Sequence, residues 1–319
     1  MTIKFGLALE NFTPMSTEPS LDRLVAYATR AEELGLASLW AWDHLFLGAR
    51  RAFPFFESLT TLSVLAAHTE TMTLGTGVLV LPIRDPVLLA KTAGTIQAIS
   101  GGRLSLGMAA GWYEREFEAT GVSFRGRGRL FERNLEILHR LWEEDMVTGT
   151  YDDMNLRSVR MLPRPAPRPQ VLIGGYVDRV LRRVATKSDG WLTYFYTAES
   201  FSRAWQKIRG FAEEAGRDPD ELRNVAQVPF CVASSFEEAD KLVRHFVGEY
   251  FDVAEWSEST PDSAIRGTPE QCAEQLAEHV AVGSEHIVLV PYNYEIEQVE
   301  QFVAEIMPKV GGRGTELAP

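Results

Sequence analysis

Asp43 and His44 are the residues best suited to chemistry here. They stand side by side in Ala41-Trp42-Asp43-His44-Leu45, closing an apolar run that begins near Ser38. A histidine exchanges a proton near neutral pH, and a neighbouring carboxylate can tune it. The competing reading is a histidine packed at a core edge, with the aspartate capping a turn. Gly77, inside Leu74-Gly-Thr-Gly-Val-Leu-Val-Leu81, interrupts a strand pattern. A glycine there marks either a bulge or a ligand lying against the backbone. Gly107, Ala109, Ala110 and Gly111 leave room for a planar ligand, and Trp112 and Tyr113 follow. Trp112 then either walls that pocket or packs beneath the segment that follows.

Two more constellations concern charge and apolar surface. Gly174 and Gly175, followed by Tyr176, precede a helical pattern. Backbone N–H groups at such a helix start face an anion, and a phosphate is the natural guest. Asp178 in the first turn is expected to cap the helix, and Arg179, Arg182 or Arg183 to offset the anion. Phe46, Arg50, Arg51, Phe53, Phe55 and Phe56 follow the Asp-His pair. They read as a substrate lid, or equally as a hydrophobic anchor or subunit contact. No His, Cys, Asp or Glu spacing makes a metal site, and neither a Gly-x-Ser-x-Gly elbow nor a phosphate-binding Walker loop occurs.

The elements that must position these residues alternate along the chain. Strand signals fall at Ile3–Leu9, Ser38–Trp42, Thr73–Leu81, Arg103–Met108, Val171–Ile173, Gly190–Thr193, Val225–Val232 and His286–Val290. Helical patterns fall at Leu21–Leu34, Leu59–His68, Pro86–Ile99, Gly128–Trp142, Val177–Ala185, Glu199–Ala215, Phe236–Phe246, Pro269–Val282 and Glu295–Ile306. The alternation breaks at residues 147–169, read as a hairpin laid over the barrel with a proline-rich return, and at the polar stretch Tyr250–Arg266. Residues 311–319 read as a mobile tail. Eight strands separated by helices predict one closed (β/α)8 barrel over residues 1–319, with insertions at its C-terminal rim. An open doubly wound sheet would carry a glycine-rich turn after the first strand, and Leu9-Glu-Asn-Phe-Thr-Pro14 has none.

The chain has 319 residues, 45% apolar and 24% charged, with a net charge of −12. That is a globular mix whose acidity argues against a nucleic-acid partner. Its apolar runs are strand-length, so no membrane association is expected. Two isolated cysteines and the absence of a leader-like start predict a reduced, cytoplasmic protein.

With these residues in view, the chain resembles the bacterial luciferase-like superfamily of flavin- and deazaflavin-dependent oxidoreductases. The resemblance runs from Phe5 to about Asp220 and more loosely beyond. It rests on Trp42-Asp-His-Leu45, on Leu74-Gly-Thr-Gly-Val78 with Arg84-Asp-Pro86, and on Ser100-Gly-Gly-Arg-Leu104 with Gly111-Trp-Tyr-Glu-Arg-Glu-Phe117. Ile173-Gly-Gly175 with Ser188-Asp-Gly-Trp191 completes the series. The resemblance implies a barrel holding a redox ring at its C-terminal mouth. A cis peptide at Gly77-Val78 would back the ring, and Gly174, Gly175 and Tyr176 would hold the cofactor phosphate. Ala110, Gly111 and Arg115 would line its ribityl or lactyl arm beside Trp112. His44, oriented by Asp43, would give or take the proton that accompanies hydride transfer.

Asp-His and the Gly-Trp-Tyr-Glu-Arg-Glu-Phe run look most like enzymes that use coenzyme F-420, a deazaflavin. That branch implies hydride transfer to or from a small organic substrate. The alternative is flavin mononucleotide (FMN) with oxygen, a monooxygenase fed by a separate flavin reductase. A non-catalytic flavin carrier is the remaining reading, and the retained Asp-His pair argues against it. Deazaflavin-dependent sugar-phosphate dehydrogenases carry a Glu where Trp112 stands, so that substrate is not expected. Gly77 replaces a Ser or Cys common at the bulge. Phe53, Phe56 and Trp112 imply an apolar or aromatic substrate. Such barrels pair as homodimers.

Overall fold

Strands whose side chains are apolar on both faces are stable only when both faces are covered. Leu74 to Leu81, Leu104 to Met108 and Val225 to Val232 are mostly apolar, and all their residues but the half-buried Val78 are buried. The computed structural model describes residues 3–14, 18–48, 53–152, 154–250 and 260–311. The barrel strands are β1 (Lys4–Ala8), β2 (Ser38–Ala41), β3 (Thr73–Val80) and β4 (Leu104–Ala109). They are followed by β7 (Gln170–Gly174), β8 (Gly190–Tyr194), β9 (Arg223–Val232) and β11 (His286–Pro291). All pair in parallel in chain order. β8 joins β9, β9 joins β11, and β11 joins β1, which closes the barrel.

The surrounding helices are α1 (Leu21–Glu33), α2 (Ser58–His68), α3 (Pro86–Ile99), α5 (Arg127–Glu143), α6 (Asp178–Lys187), α7 (Ala198–Glu214), α8 (Phe236–Tyr250) and α9 (Pro269–Ala281). Their starts follow local chemistry. Asp85 caps α3 through the Val87 and Leu88 amides, with Pro86 at the first helical position. Thr268 and Gln271 form a reciprocal capping box on α9. α10 (Ile296–Gln301) continues as a π turn over Phe302–Ile306.

Apolar packing divides into two bodies. The larger lies between strands and helices, with Leu39, Leu74, Leu106, Phe131 and Trp191 among its members. The smaller fills the barrel lumen with Trp40, Leu172, Leu192, Val225 and Val288. At the foot of the lumen the Ser38 hydroxyl meets His286 Nε2 at 2.7 Å and accepts from Trp40 Nε1 at 2.7 Å. Arg103, from the Ser-Gly-Gly-Arg-Leu run, is structural. It donates to the carbonyls of Ala66, Thr69, Met72 and Ser100 at 2.7–3.0 Å, and so ends α2 against β3 and β4.

The expected hairpin forms from β5 (Val147–Tyr151) and β6 (Met154–Val159). It packs outside the helices against α5, where Arg140 donates to Tyr151 and to the Thr148 carbonyl. Other expectations are corrected by the fold. A short helix, α4 (Glu114–Thr120), stands where no element was expected. The polar stretch before α9 hides a three-residue strand, β10 (Ile265–Gly267), which adds to β9 outside the barrel. Arg50, Arg51, most of the polar stretch and the tail from residue 312 lie outside the described residues.

His279 on α9 is buried, and its Nδ1 has no partner among the described residues. Burial pushes its pKa down from 6.5 to about 4, so the fold holds it neutral while the unfolded chain takes a proton near 6.5. Stability must therefore fall as pH drops from about 6.5 toward 4. Urea denaturation across that window is expected to show a loss on the order of 2 kcal/mol from this group, absent in His279→Leu.

Candidate active site

One pocket opens at the C-terminal ends of the barrel strands, where β/α barrels present their loops. His44 lies at its mouth, with the side chain 14% exposed. The rings of Phe55 and Trp112 meet the imidazole edge-on at 5.7 Å, and Tyr113 stands at 6.4 Å. Its Nδ1 lies 2.9 Å from Glu116 Oε2, and Glu116 Oε1 accepts the Leu45 amide at 2.6 Å. The Glu116 side chain is 1% exposed. A carboxylate there can only accept, so Nδ1 carries the hydrogen and Nε2 is left free to exchange a proton.

Asp43 does not orient His44. It points to the opposite side of the chain, into a buried knot. Its Oδ1 accepts from the Ser58 hydroxyl at 2.8 Å and from Arg84 Nη2, and its Oδ2 from the Val80 amide at 2.9 Å. Arg84 also donates to Glu57 at 2.7 Å. Asp43 and His44 therefore share no hydrogen-bond partner, although both border the pocket. The orienting carboxylate comes instead from α4. Glu116 shares the inward face of that short helix with Phe117, and no spacing in the sequence links it to a residue 72 positions earlier.

The floor is made of backbone and small side chains. Gly77 and Val78 line it, and the bond between them is cis. Ala110, Gly111, Trp112, Gly174, Gly175 and Tyr176 line it as well. Gly111 has φ +79°, and a Cβ there would stand 2.6 Å from Val80 Cγ1. Gly175 has φ +138°, and a Cβ would stand 2.9 Å from Val180 Cγ1. Both positions therefore require glycine, sterically and conformationally.

Beyond the glycines the pocket becomes cationic. Arg127 and Arg183 reach it from α5 and α6. Arg127 Nε donates to the Gly111 carbonyl at 3.0 Å, and Arg183 is held by Glu132 at 2.6 Å. α6 begins after Val177 with no side-chain cap, which leaves its first amides to a ligand. Asp178 does not cap the helix. It turns outward to Lys207 at 2.8 Å, away from the anion position. Together these groups fit a flat ring bearing an anionic arm.

Three expected site residues lie elsewhere. Arg115 is exposed on α4, its guanidinium 3.4 Å from the Tyr113 hydroxyl, because the helix turns that position away from the mouth. Phe53 is buried against Phe12, and Phe56 points outward. Neither lines the pocket. Phe55, between them, does, stacked on Phe12 at 4.7 Å. Phe53 and Phe55 both pack on Phe12, and of the three only Phe55 reaches the pocket. No group of three or more metal-ligating side chains occurs among the described residues, and no helix there is long and apolar enough to cross a membrane.

Comparison with known proteins shows the family and the fold. A family profile described as "Luciferase-like monooxygenase" matches residues 1–286, so the chain belongs to that family. An uncharacterised protein of Mycobacterium tuberculosis is 31% identical over 180 residues, and the match spans 56% of this chain but only 62% of that protein. The FMNH2-dependent dimethylsulfone monooxygenase of Pseudomonas fluorescens is 25% identical over 80% of this chain and 78% of its own length. The F420-dependent glucose-6-phosphate dehydrogenase of Amycolatopsis mediterranei is 22% identical over 91% and 95%. Among solved structures, an F420-dependent secondary alcohol dehydrogenase superposes with a TM-score of 0.79 over 97% of this chain and 99% of that one, at 18% identity.

The contrasting roles of Asp43 and His44 are separable by stability. Asp43→Ala removes one of the two carboxylates on Arg84 and unpairs the Ser58 hydroxyl and the Val80 amide, and is expected to cost about 3–5 kcal/mol in urea denaturation. His44→Ala, at the pocket mouth, is expected to cost under about 1 kcal/mol.

Proposed function

We propose that this protein is an oxidoreductase that moves a hydride between coenzyme F-420 and a small, largely apolar organic substrate. The observation that carries the reading is the His44–Glu116 pair at the edge of a ring-shaped floor. When bound, the deazaflavin supplies or accepts the hydride. His44 Nε2 delivers or removes the proton at the substrate heteroatom. Glu116 holds the Nδ1 hydrogen, fixes the tautomer and offsets the charge of the imidazolium as it forms. Gly77, Val78, Ala110, Gly111 and Gly174 let the ring lie close to backbone. Arg127, Arg183 and the start of α6 hold the phosphate, with Gly175 and Tyr176 beside it. Phe55, Phe12 and Trp112 wall the substrate side and keep bulk water from the transfer.

The likeness to an FMNH2-dependent monooxygenase supports a second reading. The same floor and arginines would hold FMN, and the protein would then draw reduced flavin from a partner reductase. A second copy of the chain is the partner we assign to α3, whose outer face exposes Leu88 (70%) and Ile99 (57%). A cytoplasmic location fits the reading.

Parallel titration with F-420 and FMN, followed by fluorescence, separates the two readings. Tighter binding of F-420 supports the first and tighter binding of FMN the second. Binding of neither overturns both. With the cofactor that binds, His44→Asn is expected to lower kcat by about 10²–10⁴-fold and to leave its affinity nearly unchanged. Arg127→Leu is expected to weaken cofactor binding by about 10–100-fold with little effect on kcat at saturation.

A further inference from the structure

The polar groups at the foot of the lumen, Ser38 and His286, are paired, and higher up an unpaired one stands among apolar side chains. Gln227, in mid-β9, is 1% exposed. Its register partners are Tyr194 on β8 and Val288 on β11, both members of the lumen packing. Neither its Nε2 nor its Oε1 has a hydrogen-bond partner among the described residues. A buried carboxamide with both ends unpaired is costly, and such groups recur where a ligand completes them.

The amide has a particular neighbour. A Cβ built on Gly77 would stand 2.5 Å from Gln227 Nε2 and 3.3 Å from Oε1. Gly77 is itself part of the pocket floor. The floor has no side chain at that point, and an amide reaching across the barrel from β9 occupies the space one would fill. Gly77 and Tyr194, the neighbours of that amide on β3 and β8, both line the pocket.

We infer that Gln227 is the floor's polar recognition group, exchanging its unpaired state for hydrogen bonds with the edge of a bound ring. A carboxamide offers one donor end and one acceptor end about 2.3 Å apart. Its complement is an edge with adjacent C=O and N–H groups, as in a cyclic imide. This rests on the reading of the pocket as a flavin or deazaflavin site, since both rings carry that edge. It assigns Gln227 to ring recognition and not to proton transfer, and it makes Gly77 and Gln227 a matched pair. A side chain at 77 would displace the amide.

The test uses the purified full chain with F-420 and FMN in separate titrations, alongside thermal unfolding without ligand. Gln227→Leu is expected to raise Kd roughly tenfold for whichever ring binds, and to leave the unfolding temperature equal or higher, because an unpaired amide is removed. Gly77→Ser is expected to weaken binding similarly through displacement of the amide. The Gly77→Ser/Gln227→Ala double variant is expected to bind better than the sum of the single effects predicts, because the serine enters the space the amide vacates. An unchanged Kd in Gln227→Leu, or additive effects in the double variant, overturns the inference while leaving the cofactor reading intact. Should Gln227→Leu not fold, the Gly77→Ser and double-variant comparison decides alone. Failure of the wild-type chain to bind either ring overturns the cofactor reading and this inference with it.

Discussion

The rim of this barrel is organised by one buried carboxylate. Asp43 leaves β2 at the point where the strand ends and draws three segments onto its two oxygens: the start of α2 through Ser58, the end of β3 through Val80, and the turn after β3 through Arg84. A buried anion is tolerable only when paired and fully hydrogen-bonded, and these partners meet that condition. Two consequences follow for the pocket. The end of β3, including Gly77 and Val78, is fixed in position. The segment that carries His44 is anchored beside the mouth by the residue before it. The same strand end serves both anchoring and chemistry because its two adjacent side chains take different partners, Asp43 the Arg84 knot and His44 Glu116.

The rest of the site follows from what each face of the barrel can hold. The lumen is packed with Trp40, Leu172, Leu192 and Val288 up to the level of Gln227, and above that level the glycines and alanines of β3, β4 and β7 leave a gap bounded by Phe12, Phe55, Trp112 and Tyr176. Bulk below and smallness above make a shelf. The shelf is apolar near His44 and cationic near α6, a polarity that suits a ligand with a flat end and an anionic end. Glu116 belongs to neither wall. It arrives on the short α4 helix, which Gly121 ends in a left-handed conformation at φ +71°.

Much of this was legible in the residues. Alternating β and α patterns predicted the closed barrel, and the small residues at the ends of β3, β4 and β7 marked the shelf. Asp43-His44 was recognised as the key pair, but its internal division of labour was not. Side-by-side residues invite the idea of a dyad, and only the direction of each side chain shows that Asp43 holds the scaffold. Phe53, Phe55 and Phe56 illustrate the same difficulty: composition marks an aromatic segment, and tertiary packing decides which ring faces the pocket. Arg115 and Arg127 are both arginines after Gly111, and helix phase sends one outward and the other to the pocket.

What the sequence by itself determined is therefore the barrel, the rim that carries the site and the residue types along it. These depend on periodicity, glycine placement and short-range patterning, which are local properties of the chain. What the tertiary structure decided is which distant groups meet: Glu116 with His44 across 72 residues, Arg183 with Arg127 at one end of the shelf, and Gln227 beneath Gly77. Such meetings arise from the closure of eight strands around a shared lumen. No local pattern encodes them, because each partner is placed by its own strand or helix and only the closed barrel fixes the distance between them.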